Sequence, residues 1–302
     1  MSVELRSVRR SEYPKAIELW YRVFPEVPPF FERYFEGDPW YQEGDCLGAW
    51  VDGRLASLIH VCRRPLEFEN RQLLLGGISN VATDAAFRGL GLSSRLMEVA
   101  VDHMTRERFD FGLLGTGINA FYERLGWLTV PIPYVVASVN VEEDSVDETW
   151  ERSEFEGRFL DLYNRNRRTL RLTRTPEYVD GWRLPHRGQA FVTDNAAVVF
   201  ALDTDKSDML TVKEWHAPDT LAEAAAFKFI AAEAVRRGLS TVKLERLPEK
   251  ASLDAQDALL PQEYGMWNSY MFRNISLSDA QFDDIVALYG SSKAAWWPID
   301  GF

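Results

Sequence analysis

Between Asn80 and Leu96 the chain reads Asn-Val-Ala-Thr-Asp-Ala-Ala-Phe-Arg-Gly-Leu-Gly-Leu-Ser-Ser-Arg-Leu, and these residue types in this order can hold an anion. An apolar, β-prone run from Leu73 to Val81 ends in a small polar turn, a glycine-rich arch follows, and Ser93 opens an amphipathic helix. Backbone N–H groups converge at such a junction, and the positive end of the helix dipole points at the same spot. Gly89 and Gly91 let the backbone approach a ligand closely, while Arg88 adds a fixed positive charge. Val81, Ala82 and Thr83 close the strand side. Leu90, Leu92, Ser93 and Ser94 carry the arch into the helix. Spacing excludes two nucleotide motifs. A P-loop needs Gly-Lys-Ser/Thr at the helix start, where this chain has Leu-Ser-Ser, and a dinucleotide fingerprint needs a third glycine, where Ser94 stands.

About thirty residues on, Leu113 to Trp127 reads Leu-Leu-Gly-Thr-Gly-Ile-Asn-Ala-Phe-Tyr-Glu-Arg-Leu-Gly-Trp. The pattern predicts a short helix with Asn119 as N-cap, Phe121 and Leu125 on the core face, and Gly126 as a left-handed C-cap. Tyr122 is then presented from that helix. Together the two segments resemble the GNAT superfamily of acyl-CoA-dependent N-acyltransferases. Arg-x-x-Gly-x-Ser from Arg88 to Ser93, after Val81 and Thr83, is similar to the family's pyrophosphate arch, with Ser93 where Gly or Ala is usual. Asn119, Tyr122, Gly126 and Trp127 match the family's second signature.

The resemblance implies acetyl-CoA as co-substrate, no metal, and N-acetylation of a small primary amine by direct attack. Attack on a thioester passes through an oxyanion and expels a thiolate. Backbone N–H groups where the central strand splays near Val81 would hold the oxyanion. Tyr122 would give the sulfur its proton, since a phenol of pKa near 10 is protonated at pH 7. Asn119 would touch the pantetheine arm. The base is more open. Gly76 to Asn80 offer no carboxylate on the central strand; His60, a water chain and the carboxylate of Phe302 are the candidates. The last is suggested by an apolar end, Trp296-Trp297-Pro298-Ile299-Asp300-Gly301-Phe302, and by tandem-GNAT relatives that use their terminal carboxylate this way. The alternative readings are an acyl-CoA-binding sensor or scaffold without catalysis, and an enzyme for peptide or protein amines.

The chain has 302 residues, 46% of them hydrophobic, enough for two cores. A net charge of −12 argues against nucleic acid and suits a cationic acceptor. Two cysteines and four scattered histidines make neither a disulfide framework nor a zinc site. No apolar run is long enough for a membrane span and no signal peptide opens the chain, so a cytoplasmic protein without membrane partners is expected, oligomeric or not.

These residues need a scaffold, and the pattern predicts an α/β (α+β) fold of two GNAT-like mixed-sheet units in tandem. Residues 1–142 would be catalytic, 143–152 an acidic linker, and 153–302 a second, degenerate unit. In the first, Val3–Val8 reads as a strand and Ser11 as the cap of a helix with Ala16, Ile17, Trp20, Tyr21 and Phe24 inward. The aromatic stretch from Pro25 to Pro39 lies where an acceptor would enter. Cys46–Val51 and Arg54–Arg63 form a hairpin about Asp52-Gly53. Leu96, Met97, Ala100, Val101 and Met104 face the core. Phe109–Leu114 is the next strand, and Leu128–Val141 is read as the closing strand. In the second, Ala197–Leu202, Asp208–Trp215 and Thr241–Leu244 read as strands and Thr220–Arg237 as a helix, with no arch before it. Ser269–Arg273 is read as this unit's own last strand. The segment Leu162–Leu184, with Arg174-Thr-Pro-Glu-Tyr and Trp182, resembles tandem-GNAT proteins of the enhanced-intracellular-survival type, whose sterol-carrier-like domain this chain does not contain.

Overall fold

The computed structural model describes residues 1–26, 30–141, 149–166, 168–182, 188–202, 208–295 and 300. The expected linker 143–152 falls largely, and Phe302 wholly, outside them. The chain forms two compact units, Met1–Val130 with Ser269–Val286, and Pro131–Asn268 with Ala287–Gly301. Its elements begin with β1 (Val3–Ser7), α1 (Tyr13–Val23), α2 (Arg33–Glu36), β2 (Cys46–Val51), β3 (Arg54–Phe68) and β4 (Arg71–Thr83). Next come α3 (Leu92–Arg106), β5 (Phe111–Gly115), α4 (Asn119–Glu123), β6 (Leu128–Thr129) and β7 (Ile132–Val139). Then follow β8 (Glu151–Ser153), α5 (Arg158–Asn164), β9 (Leu170–Leu172), α6 (Pro176–Gly181), β10 (Gln189–Val192) and β11 (Ala197–Phe200). The series continues with β12 (Leu210–His216), α7 (Thr220–Arg236), β13 (Thr241–Leu244), α8 (Lys250–Asp254), β14 (Leu259–Trp267) and β15 (Tyr270–Asn274).

The first unit's sheet runs β1-β2-β3-β4-β5-β15-β6 and is antiparallel except at β4–β5. That parallel step needs a crossover, and α3 is the crossover helix. The second unit repeats the plan as β8-β10-β11-β12-β13-β7-β14, with its parallel step at β12–β13 and α7 as crossover. Each sheet therefore takes its sixth strand from the other half of the sequence. Two sequence expectations are corrected here. Leu128–Val141 is not one closing strand: only Leu128–Thr129 pairs in the first sheet, whereas Ile132–Val139 pairs with β13 and β14. Likewise Tyr270–Asn274 pairs with β5 and β6 rather than with the second sheet. The break falls at Pro131, whereas Pro133 lies inside β7, opposite Met266. A proline has no N–H to give a ladder, so a strand is easily interrupted there.

Local chemistry explains most of the rest. Asp52 and Gly53 both have positive φ, +46° and +78°, as a two-residue hairpin turn requires. The first long helix begins at Tyr13, with Pro14 in its first turn, not at a Ser11 cap. Glu12 instead accepts Arg9 N–H at 3.0 Å and is gripped by Arg6 at 2.7 and 2.8 Å. This helix buries Ala16, Leu19 and Trp20. Helix α3 buries Leu92, Leu96, Met97, Ala100 and Met104 against Ile59, Val61, Ile78 and Leu114, while Val101 is only half-buried. Burying a side chain such as Leu96 or Met104 contributes roughly 1.5–3 kcal/mol, so this face, more than helix propensity, holds the arch-bearing helix in place. Gly76 and Gly112 are paired across β4–β5, and added Cβ atoms there would meet Met104 Sδ at 2.3 Å and Trp127 at 2.7 Å. Glycine at these two points lets those side chains lie directly on the sheet. Among the described residues no helix is long and apolar enough to cross a membrane.

Candidate active site

Strands β4 and β5 pair only at Leu75–Phe111, Gly76–Gly112 and Gly77–Leu113. Beyond Gly77, β4 runs on to Thr83 without its parallel neighbour, which opens a cleft between the two strands. A bulge sits in the same stretch: the β3–β4 register shifts between Leu58 and His60, and Asn80 has φ +48°. Bulges re-aim backbone groups next to sites. This one is pinned from behind. Trp20 Nε1 donates to the Asn80 carbonyl at 2.8 Å, Asn80 Nδ2 donates to Tyr34 Oη at 2.6 Å, and Tyr34 Oη lies 2.8 Å from Ser79 Oγ. At the end of β4, Ser57 Oγ donates to the Ala82 carbonyl and lies 2.7 Å from Thr83 Oγ1. Val81 and Thr83 are half-buried and Ala82 is buried.

The arch leaves from there. Asp84 caps a single 3₁₀ turn by accepting Ala86 N–H at 2.9 Å, and Arg22 holds its other oxygen at 2.6 Å. Those contacts engage both oxygens of the Asp84 carboxylate at the start of the arch. Gly89 and Gly91 follow with φ +83° and +68°, and a Cβ on either would have nothing within 4 Å. The space before the helix is therefore open. Gly91 is the N-cap of α3 and provides no side chain to close it. The first-turn N–H groups of Leu92, Ser93 and Ser94 have no intrahelical acceptor. Arg88 is exposed and engages no carboxylate among the described residues. Leu90 is 41% exposed and Leu92 is buried. Such a cradle fits the pyrophosphate of CoA: open space, donors, a fixed cation and backbone that no side chain shields.

The second unit shows the contrast. Its crossover helix α7 is capped by Asp219, whose carboxylate accepts Ala222 N–H at 2.9 Å. A carboxylate already occupies the helix end, so this terminus repels an anion.

Helix α4 carries Tyr122. Its ring is buried, 7% exposed, in the core with α3. Burial alone pushes the phenol above its ordinary value, with no charged neighbour involved. The hydroxyl thus keeps its proton well past neutrality. Asn119 does not cap α4 as expected. It is the first helical residue, Ile118 is the cap position, and Asn119 Nδ2 donates to Thr129 Oγ1 at 2.9 Å. That bond ties α4 to β6. Gly126 does adopt the left-handed conformation, φ +81°, and Trp127 N–H closes the turn onto the Tyr122 carbonyl at 3.2 Å.

His60 is unsuited to serve as base. It is fully buried, and Trp20, Tyr34, Phe35 and Tyr41 surround its ring at centroid distances of 4.5–6.0 Å. Desolvation drives its pKa to about 4, so it is neutral at pH 7 and too weak a base for an ammonium. Of the aromatic stretch expected near the acceptor, Phe31 and Tyr34 are core residues. Phe35 does line a cavity of about 450 Å³, together with Tyr13, Ile17 and Tyr41 and with the charged residues Arg10, Glu36 and Glu43. Tyr13 stacks on Phe35 at 3.9 Å, and its hydroxyl meets that of Tyr41 at 2.5 Å. Tyr13 and Tyr41 had no legible signal: one opens an ordinary amphipathic helix and the other lies in a loop.

The acetyltransferase (GNAT) domain family matches residues 4–130. No curated protein matches the chain in sequence. Among solved structures, a conserved protein of unknown function from Enterococcus faecalis, described as a probable N-acyltransferase, superposes with TM-score 0.70 at 15% identity, over 91% of this chain and 73% of its own. A GCN5-related N-acetyltransferase from Anabaena variabilis gives 0.67 at 13% identity, over 91% and 73%. Eis1 from Mycobacterium abscessus gives 0.64 at 16%, over 90% and 74%. At such identities these likenesses concern the fold. With the splayed β4–β5 pair, the open arch and Tyr122 all inside the matched segment, residues 4–130 belong to the GNAT family and the chain is an acyltransferase.

Proposed function

We propose that this protein transfers an acetyl group from acetyl-CoA to the primary amine of a small cationic acceptor by direct attack. The observation that carries the reading is the conjunction of the β4–β5 opening with an α3 terminus left uncapped at Gly91. Acetyl-CoA supplies the activated thioester. Arg88, Gly89, Leu90, Gly91 and the first turn of α3 would hold its pyrophosphate, with Asn119 beside the pantetheine arm. Backbone N–H groups past Gly77, with Val81 central, would bear the developing negative charge on the carbonyl oxygen. Tyr122, kept protonated by burial, gives a proton to the departing sulfur.

An acceptor amine must lose its own proton. A carboxylate at Phe302 is the group proposed to take it, since His60 is held neutral by desolvation. A cationic acceptor is favoured by the net charge of −12 and by the aromatic cavity, whose charged lining has Glu36 and Glu43 against Arg10. The test is thiol release from acetyl-CoA against a panel of polyamines, aminoglycosides, amino acids and peptides. Turnover should be confined to polycationic small molecules. Turnover only with peptides would overturn the acceptor class, and CoA binding without turnover on any amine would favour a sensor.

A further inference from the structure

Trp20 is a fully buried residue of α1. Phe31, Tyr34, Phe35 and His60 surround its indole at centroid distances of 5.4–6.0 Å, so core packing accounts for the ring. It does not account for the partner of the ring's one polar atom. Nε1 donates at 2.8 Å to the carbonyl of Asn80, 60 residues on, in the bulge of β4. There Asn80 and Val81 stand against Ile59 alone, between the pairs Leu58–Ala82 and His60–Ser79.

The Asn80 carbonyl and the Val81 N–H belong to one planar trans peptide, so they point in opposite directions. Holding the first fixes the second. The direction follows from the two faces of the sheet, between which successive strand residues alternate. Ser79 meets Tyr34 of α2 on the face that carries Trp20, whereas Ile78 packs with Leu92, Leu96 and Tyr122 on the other. A carbonyl drawn toward Trp20 therefore sends the Val81 N–H toward the face of α3 and Tyr122. Two further bonds oppose rotation of that peptide. Asn80 has φ +48°, a conformation asparagine tolerates better than most residues, and its Nδ2 donates to Tyr34 Oη at 2.6 Å. Tyr34 Oη is in turn 2.8 Å from Ser79 Oγ. Turning the peptide would orphan an indole N–H inside an aromatic core, which is costly.

We infer that Trp20 is a positioning residue for acyl transfer: through the Asn80 carbonyl it aims the Val81 N–H at the oxygen of the transferred group. This rests on the reading of Val81 as oxyanion donor given above and adds the group that aims the donor in advance. A donor so fixed needs no reorganisation as negative charge develops.

Trp20→Phe removes the indole N–H and keeps a ring in the core. Phe31→Leu is the control, because it loosens the same aromatic cluster and leaves the Trp20–Asn80 bond in place. Melting temperature should fall in both. Loss of an oxyanion donor costs roughly 10²–10³-fold in kcat, so misaiming one in Trp20→Phe should cost at least about tenfold with a good acceptor. The KM for acetyl-CoA should stay within about twofold, as expected when only a transition-state interaction is lost. Phe31→Leu should keep its kcat. Infrared difference spectroscopy with carbonyl-labelled acetyl-CoA needs no acceptor: the bound carbonyl band should move to higher frequency in Trp20→Phe and stay in place in Phe31→Leu. Equal kcat changes in the two variants, or an unmoved band in folded Trp20→Phe, would make Trp20 a packing residue only. Failure of the underlying reading looks different. If acetyl-CoA bound to the unmodified protein shows a carbonyl band no lower than in water, there is no donor to aim, and the Val81 assignment falls together with this inference.

Discussion

At the residue scale the proposed acid chemistry rests on Tyr122. Its ring packs in the core while its hydroxyl is the only part that can do acid work, so Tyr122→Phe deletes one oxygen and leaves the packing in place. Loss of a general acid typically costs roughly 10²–10⁴-fold in rate, and kcat should fall within that range while calorimetry shows acetyl-CoA bound as before. A loss of less than about threefold, far below that range, would make the tyrosine structural. The pH dependence has a definite sign. Burial raises the phenol pKa, and the acid is active while protonated, so ionisation of Tyr122 cannot depress kcat until pH exceeds the ordinary phenol value of about 10. A descending limb centred near pH 8 that vanishes in Tyr122→Phe would contradict this assignment.

Among the elements, the junction of β4, arch and α3 is the proposed CoA site. Gly91 has φ +68°, a conformation that side chains branched at Cβ resist, and it faces open space. Gly91→Val should therefore lose CoA binding for two reasons, a shifted arch and a side chain in the way of the phosphates. The backbone strain should cost about 1–3 kcal/mol, leaving a folded protein with a lowered melting temperature. Calorimetry showing ordinary CoA affinity in the folded variant would remove the arch from the site. The equivalent junction before α7 needs no mutation to be silent, since Asp219 already fills it with a carboxylate.

On the scale of the molecule, the two units share one strand plan. Both keep four antiparallel strands, a parallel step, a crossover helix and a sixth strand from the other half of the chain. Only the first keeps an open arch. If the α-carboxylate at Phe302 takes the amine proton, its location matters more than its side chain. A few residues added after Phe302 should abolish turnover and leave CoA binding intact, whereas the same tag at the N-terminus should be harmless. Equal turnover in the two proteins would return the search to water.

Part of the proposed site was legible in the sequence: glycines at fixed offsets from a helix start marked Arg88, Gly89 and Gly91 as a candidate anion arch, and the resemblance to the GNAT signature singled out Tyr122. The α/β class was legible too, as was the absence of an arch before α7. Tertiary structure decided what local pattern cannot carry. A strand's partner is chosen by which sheet edge it meets, so the sequence near Pro131 and Ser269 marks strands without revealing that β7 and β15 are exchanged between sheets. Histidine's role depends on solvent, and only the ring cage around His60 shows that desolvation removes its basicity. Asn119 reads as a cap by position, yet Thr129, folded back beside it, takes its amide instead. Trp20 and Asn80 lie 60 residues apart, and nothing local in either predicts that indole and carbonyl meet. Periodicity and turn chemistry are local properties and survive in the sequence; burial, pairing and charge compensation are set by distant segments and exist only once the chain has folded.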